Sequence, residues 1–249
     1  MSNQILERPK SLTQKQFHYC PGCHHGIIHR LIAETIDEFD LRENTIIVQP
    51  VGCAVYIYEY FDTDVSEAAH GRAPAVATAI KRVSKGKFVL TYQGDGDLAA
   101  IGTAEIVHAA ARGENICVFF VNNAIYGMTG GQMAPTTLPG MKTATTPLGK
   151  DVKKQGYPIK VSEMLAPFEG VSYIERVMVS SPKHVIKAKS AVRKAFKYQL
   201  QEKGFSLVEF LSACPTGWGM PPVDAAKWVE ENMTKQFPLG VYKEVGLDD

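Results

Sequence analysis

The sequence predicts an α/β chain built on a single open, mostly parallel sheet with helices on both faces and a pyrophosphate-type site at the strand tips. Two observations carry that prediction. A short apolar run, Phe88 to Tyr92, closes on Gly94-Asp95-Gly96; a helical period follows from Leu98 to Ala111; and a second apolar run, Ile116 to Val121, delivers Asn122-Asn123. This is strand, tight turn, helix, strand, with both polar clusters at the carboxyl ends of neighbouring strands, the edge at which open parallel sheets bind ligands. Further runs of the same kind, Thr45 to Val48, Ser172 to Val179 and Phe205 to Leu211, alternate with helical periods along the rest of the chain, as a parallel sheet requires.

In chain order, residues 1–18 show no strong period and read as an arm lying over a partner or over the domain. Tyr19-Cys20-Pro21-Gly22-Cys23-His24-His25-Gly26 places a C-x-x-C loop at the mouth of a helix whose Ile27, Ile28, Leu31, Ile32, Ile36 and Phe39 face a sheet. His24, His25 and His29 read as hydrogen-bonding residues of that helix start. The strand Thr45 to Val48 ends at Pro50-Val51-Gly52-Cys53. His70-Gly71-Arg72 precedes an alanine-rich helix ending near Lys81-Arg82, a setting suited to an anion because free N–H groups and a cationic side chain can point the same way; a histidine capping its own loop fits equally.

Glycines flanking Asp95 let the backbone turn sharply and approach a phosphate, while the Asp95 carboxylate and the Asn123 amide oxygen are hard ligands of the kind Mg²⁺ prefers. Thr129-Gly130-Gly131-Gln132 opens a Pro/Gly/Thr-rich loop, 133–170, whose length marks it as functional or shaped by a partner. Ser181-Pro182 starts a basic helix whose lysines and Arg193 read as a solvated face. The tail from Met220 carries Pro221-Pro222, which makes it a poor continuation of the sheet and suggests that it wraps onto another subunit. The domain boundaries read as arm 1–18, domain 19–219 and tail 220–249.

With 249 residues, 45% of them hydrophobic and 21% charged, the chain can bury one large α/β core. A formal net charge of +1 gives no field for nucleic acid or an anionic membrane. No stretch approaches the roughly 18 apolar residues of a membrane span, and Met1 to Lys15 lacks an apolar signal core, so the expectation is a cytoplasmic protein. In that compartment clustered thiols bind metal or do redox chemistry more often than they pair. Cys117 lies inside an apolar run and reads as a buried hydrophobe. Cys20, Cys23, Cys53 and Cys214 all lie in glycine- or proline-marked loops. Four thiolates suit tetrahedral Zn²⁺ or a cubane cluster, and their spacing does not separate the two.

Gly94-Asp95-Gly96 with Asn122-Asn123 resembles the signature of thiamine diphosphate enzymes, and Tyr126-Gly127-Met128-Thr129-Gly130-Gly131-Gln132 narrows the resemblance to the β subunit of 2-oxoacid:ferredoxin oxidoreductases, of 2-oxoglutarate or 2-ketoisovalerate type. The likeness runs from about Tyr19 to Trp218. It implies a thiamine diphosphate-binding domain in which the side chains of Asp95 and Asn123 and the carbonyl of Ile125 hold Mg²⁺, Gly94, Gly96, Thr129 and Gly130 surround the diphosphate, and His70 lies near the cofactor. It further implies a [4Fe-4S] cluster on Cys20, Cys23, Cys53 and Cys214.

The implied reaction is oxidative decarboxylation of a 2-oxoacid with CoA to acyl-CoA and CO₂, with electrons leaving through the cluster to ferredoxin; a non-oxidative decarboxylase or ligase subunit is the alternative. The resemblance also implies that the activating Glu lies on an α/γ partner, which supplies CoA contacts, and that a ferredoxin-like subunit joins them. Two positions depart from other branches of the family. Met128 stands where some members carry a polar residue, and Tyr56 stands where members handling dicarboxylic oxoacids place a cation, which points to a branched-chain or aryl substrate.

Overall fold

Continuous apolar runs fold into strands buried on both faces, and those strands form the middle of the sheet. The computed structural model describes residues 7–248, so the first part of the expected arm, residues 1–6, and Asp249 lie outside the described residues. Along the chain the strands are β1 Thr45–Gln49, β2 Asp64–Glu67, β3 Phe88–Gly94, β4 Cys117–Asn122, the short pair β5 Ile125–Tyr126 and β6 Gln132–Met133, β7 Val171–Met178, β8 Phe205–Leu211 and β9 Gly240–Glu244. Seven of them make one sheet in the order β2-β1-β3-β4-β8-β7-β9, parallel throughout except for the last pair. β5 and β6 form a separate antiparallel hairpin.

The helices are α1 His25–Glu38, α2 Ile57–Tyr60, α3 Ala73–Val83, α4 Thr103–Ala111, α5 Val152–Gln155, α6 Val161–Leu165, α7 Pro182–Leu200, α8 Pro215–Trp218 and α9 Pro222–Trp228. Ile28, Leu31, Ile32 and Ile36 of α1 and Ala188, Val192 and Phe196 of α7 pack with Leu90, Phe119 and Phe210 on one face. Ala73 and Ala77 of α3, Ile106 and Ala110 of α4, and Val161 and Leu165 of α6 cover the other with Val89, Val118 and Leu207. The basic face of α7 is partly paired rather than simply solvated: Lys189 meets Glu34 at 2.7 Å and Arg193 meets Glu38 at 2.5 Å, tying α7 to α1. Among the described residues no helix is long and apolar enough to cross a membrane.

The structure departs from the sequence expectations at two places. The helix expected from Leu98 to Ala111 is two pieces, a π-helical turn Gly96–Ile101 and then α4. The break falls at Gly102, where a Cβ would stand 2.4 Å from the Asp97 carbonyl and 2.7 Å from that of Gly71, so the backbone of the His70 loop docks against the interruption. The loop 133–170 is tied by its own backbone, with Gly140 N–H donating to Lys150 O, Lys150 N–H to Met141 O and Ala144 N–H to Gly131 O.

The tail returns to its own sheet, where a poor continuation of it was expected. Pro221-Pro222 opens α9, where a missing N–H costs nothing, and β9 then pairs antiparallel with β7. Its attachment is an ion network around the fully buried Arg176, which meets Glu209 at 2.8 Å and Glu163 at 2.5 Å and donates to Pro238 O and Tyr242 Oη. Residues 7–18 likewise lie on their own domain, with the backbone N–H groups of Lys10 and Ser11 donating to Asp37 and Leu12 buried against Phe61.

Candidate cofactor site and cysteine cluster

Every parallel strand that carries a motif points its carboxyl end the same way, and there the loops after β1, β2, β3 and β4 enclose a cavity of about 220 Å³. Among its lining residues are Gly94, Asp95 and Gly96 from β3, Asn123 and Ile125 from β4 and β5, Thr129, His70 and Cys53. Gly130 lies just outside, in a left-handed conformation with φ +110°. The expected diphosphate residues from separate loops thus meet in one place.

Asp95 is buried, and burial pushes its carboxyl up from the ordinary range to about 7, although Thr136 Oγ1 donates to it at 2.7 Å and Gly96 N–H at 2.9 Å. Its neighbour across the cavity is held by local backbone bonds. Asn122 Oδ1 accepts from Ala124 N–H and Asn123 Oδ1 from Ile125 N–H, each at 3.2 Å, bending the chain through Ala124 at φ +59°. The Ile125 N–H also lies close enough to Asp95 to favour its charged form, so the carboxylate and the Asn123 oxygen share one small volume. Asn122 turns the other way, donating to Glu209 at 2.8 Å, and is structural. A buried carboxylate with few donors, beside an amide oxygen, has the donor set a hard divalent cation requires.

The four loop cysteines converge on the same edge. Burial pushes the Cys23 thiol up to about 11, with Cys53 and Cys20 acting in the same direction, and the Cys214 thiol up to about 12, with Cys23, Cys53 and Asp95 adding. Burial also raises Cys53, and Cys20 and Asp95 reinforce it. Cys23, Cys53 and Cys214 therefore each feel others of the set, and two of them feel the carboxylate. Gly127 leaves the room between them: a Cβ there would stand 3.1 Å from Cys214 Sγ and 3.5 Å from Cys53 Sγ. Among the described residues no three His, Cys, Asp or Glu side chains close tightly enough to share a single metal ion. Raised thiol pKa values are also the reverse of what a thioredoxin-like nucleophile needs. Cys117 is buried in the sheet and bonded to Ala195 O, as its apolar setting implies.

The histidines at the start of α1 do not cap it; no side chain does. His24 Nδ1 instead accepts from Ala213 N–H at 3.1 Å, bracing the Cys214 loop, while His25 bonds Tyr92 Oη at 2.6 Å and His29 bonds Tyr19 Oη at 2.7 Å. Burial holds His25 down to about 3 and His24 to about 4, so both are neutral. Arg72 turns away from the cavity to pair with Glu105 and is structural.

Two important side chains escape a reading by motif. Thr136, in the Thr-rich loop, reaches Asp95 from 41 residues away. Asp97 is buried and gathers Val51 N–H at 3.2 Å, Gly71 N–H at 2.9 Å, His70 Nδ1 at 2.6 Å and Gln93 Nε2 at 2.6 Å. Its adjacency to Gly94-Asp95-Gly96 was a signal available in the sequence.

Comparison with known proteins adds a family. The model of the thiamine pyrophosphate enzyme C-terminal TPP-binding domain matches residues 51–210. A ketoisovalerate oxidoreductase subunit VorA from Methanothermobacter marburgensis is 47% identical over 97% of this chain and 51% of its own length. A 2-oxoglutarate synthase subunit KorB from Archaeoglobus fulgidus is 35% identical over 93% of this chain and 86% of its own. The chain thus spans about half the length of the VorA relatives. A 2-oxoglutarate:ferredoxin oxidoreductase structure from Magnetococcus marinus, with 2-oxoglutarate, coenzyme A and succinyl-CoA bound, shares the fold at TM-score 0.77 and 22% identity, covering 98% of this chain and 87% of that one.

Proposed function

The chain belongs to the thiamine pyrophosphate enzymes, among the subunits of 2-oxoacid oxidoreductases, and from that premise we propose that it is the cofactor- and cluster-bearing subunit of a 2-oxoacid:ferredoxin oxidoreductase. The reaction is oxidative decarboxylation of a 2-oxoacid with CoA to acyl-CoA and CO₂. When bound, thiamine diphosphate supplies the carbon nucleophile and the electron sink for that chemistry. Asp95, Asn123 and the Ile125 carbonyl would hold the Mg²⁺ that tethers it, Gly94, Gly96, Thr129 and Gly130 would flank the diphosphate, and Cys20, Cys23, Cys53 and Cys214 would hold a [4Fe-4S] cluster.

One observation carries the reading: Asp95, Cys53 and Gly127 line one cavity, and a Cβ at Gly127 would stand 3.1 Å from Cys214 Sγ and 3.5 Å from Cys53 Sγ, so the sulfurs lie beside the carboxylate's site. A cofactor seated on Asp95 therefore has an electron exit beside it, which a non-oxidative decarboxylase has no use for. Thiols raised by burial become thiolates when a metal centre displaces their protons, and four soft thiolates are the ligand set a cubane takes. Among the described residues the cavity lining contains neither Lys nor Arg, which favours an oxoacid with no second carboxylate, of branched-chain or aryl type. The activating Glu, the CoA contacts and the onward path to ferredoxin fall to an α/γ partner and a ferredoxin-like subunit, in the cytoplasm.

The test is the anaerobically assembled complex, assayed for iron, sulfide and thiamine diphosphate and then for viologen reduction across a panel of 2-oxoacids. Cluster, cofactor and dye reduction together are expected. Turnover without iron or an electron acceptor would instead assign the chain to a non-oxidative decarboxylase or ligase.

A further inference from the structure

The Asp97 carboxylate has its acceptor sites filled by four donors drawn from two loops and β3, and its side chain is 1% exposed. It is fully used inside the protein and has nothing left for a metal. One of its donors is different in kind. His70 has a side chain 43% exposed that lines the cavity, and with Nδ1 fixed on Asp97 its Nε2 is the ring nitrogen left to meet a ligand. The other cavity histidine, His25, is buried and committed to Tyr92, and the Thr129 hydroxyl donates to Gln132 at 2.5 Å. With no Lys or Arg in the lining among the described residues, His70 is the cavity side chain with a ring nitrogen left to meet a ligand.

We propose that His70 is a catalytic residue whose Nε2–H donates to the 2-oxo oxygen of the substrate, and that Asp97 is the positioning residue that holds the ring for it. The inference rests on the oxidoreductase reading above. A 2-oxo oxygen gains negative charge as its carbon is attacked, so a donor already aimed at it contributes more in the transition state than in the ground state. A ring with Nδ1–H on one carboxylate and Nε2–H on the substrate oxygen carries both protons, the second taken from solvent where it starts neutral; Asp97 bears the compensating charge without itself touching substrate. Gly71 N–H and Val51 N–H on the same carboxylate fix the loops on either side, so the direction of the ring is set by the framework.

The experiment is a double-mutant cycle in the assembled complex, read by dye-linked turnover, cofactor content and the ring ¹⁵N signals of histidine-labelled enzyme. His70→Ala, whose side chain is half outside the protein, is expected to keep its cofactor and its KM for the 2-oxoacid within about threefold while kcat falls roughly 100-fold or more. His70→Gln, which retains a neutral donor, should recover part of that loss. Asp97→Asn can keep the hub by a flip of the Gln93 amide. It should lower kcat about tenfold or more with His70 present and less than about twofold with His70→Ala. In labelled wild-type enzyme Nδ1 of His70 should carry a proton, and Asp97→Asn should change that signal. An equal loss from Asp97→Asn in both backgrounds, or an unprotonated Nδ1, overturns the proposal. A wild-type complex inactive on every 2-oxoacid would overturn the functional reading instead, and the ¹⁵N signal would still judge the pairing.

Discussion

Asp95 is a carboxylate held where water cannot stabilise its charge, and ionising it without a cation costs stability. Its carboxyl is raised to about 7, so its contribution to the fold of the cofactor-free chain is full below the unfolded value near 4 and is lost as pH rises through about 7. The cofactor-free chain should therefore melt at a lower temperature at pH 8 than at pH 5. Asp95→Asn should raise the pH 8 melting point, by a stabilisation on the order of 4 kcal/mol at most, while abolishing retention of thiamine diphosphate and Mg²⁺. Thermal melts with and without cofactor check both halves; a variant that keeps full cofactor occupancy contradicts the metal role.

Gly127 is the matching position on the sulfur side. Gly127→Ala puts a methyl 3.1 Å from Cys214 Sγ, and the cluster absorbance should fall while cofactor content holds. Residues whose chemistry is local, such as Asp95 and Asn123, were legible in the sequence. Thr136 was not, because its partner lies 41 residues away and nothing in a Thr-Thr pair names it.

Among the elements, legibility followed burial. β3, β4 and β8 are buried along nearly their whole length, so their composition leaves little choice of structure. The edge strands β2 and β9 expose part of each residue run and carry no such signal. Pro221-Pro222 argued against a strand correctly at its own position, but β9 forms after α9 has turned the chain back.

What fastens β9 is the Arg176 network, in which one buried guanidinium serves carboxylates on α6 and β8. Arg176→Met leaves Glu209 buried without its counter-charge, so chemical denaturation should register a loss of roughly 3–5 kcal/mol; a loss below about 1 kcal/mol would mean that the tail is held by something else. Gly102 is the equivalent point on the other side of the sheet. Gly102→Ala drives a methyl into the Asp97 and Gly71 carbonyls, and should loosen the His70 loop, seen as faster proteolysis there, as well as destabilise the fold.

For the whole molecule, a parallel sheet has one carboxyl edge, and whatever its strands deliver is delivered to that edge. This is why cysteines from positions 20 to 214 and a carboxylate at 95 come together although no sequence window contains them. The sheet order and the crossing of the tail were beyond a linear reading, yet the meeting of the motifs followed from the fold class alone. The measurement closest to the central claim is electron paramagnetic resonance of the anaerobic complex after addition of a branched-chain 2-oxoacid, with wild type and Cys214→Ser compared at equal cofactor content. A reduced-cluster signal in the wild type, absent from Cys214→Ser while thiamine diphosphate is retained, is the expected result; an unchanged signal in the variant, or none in either despite turnover, would contradict it.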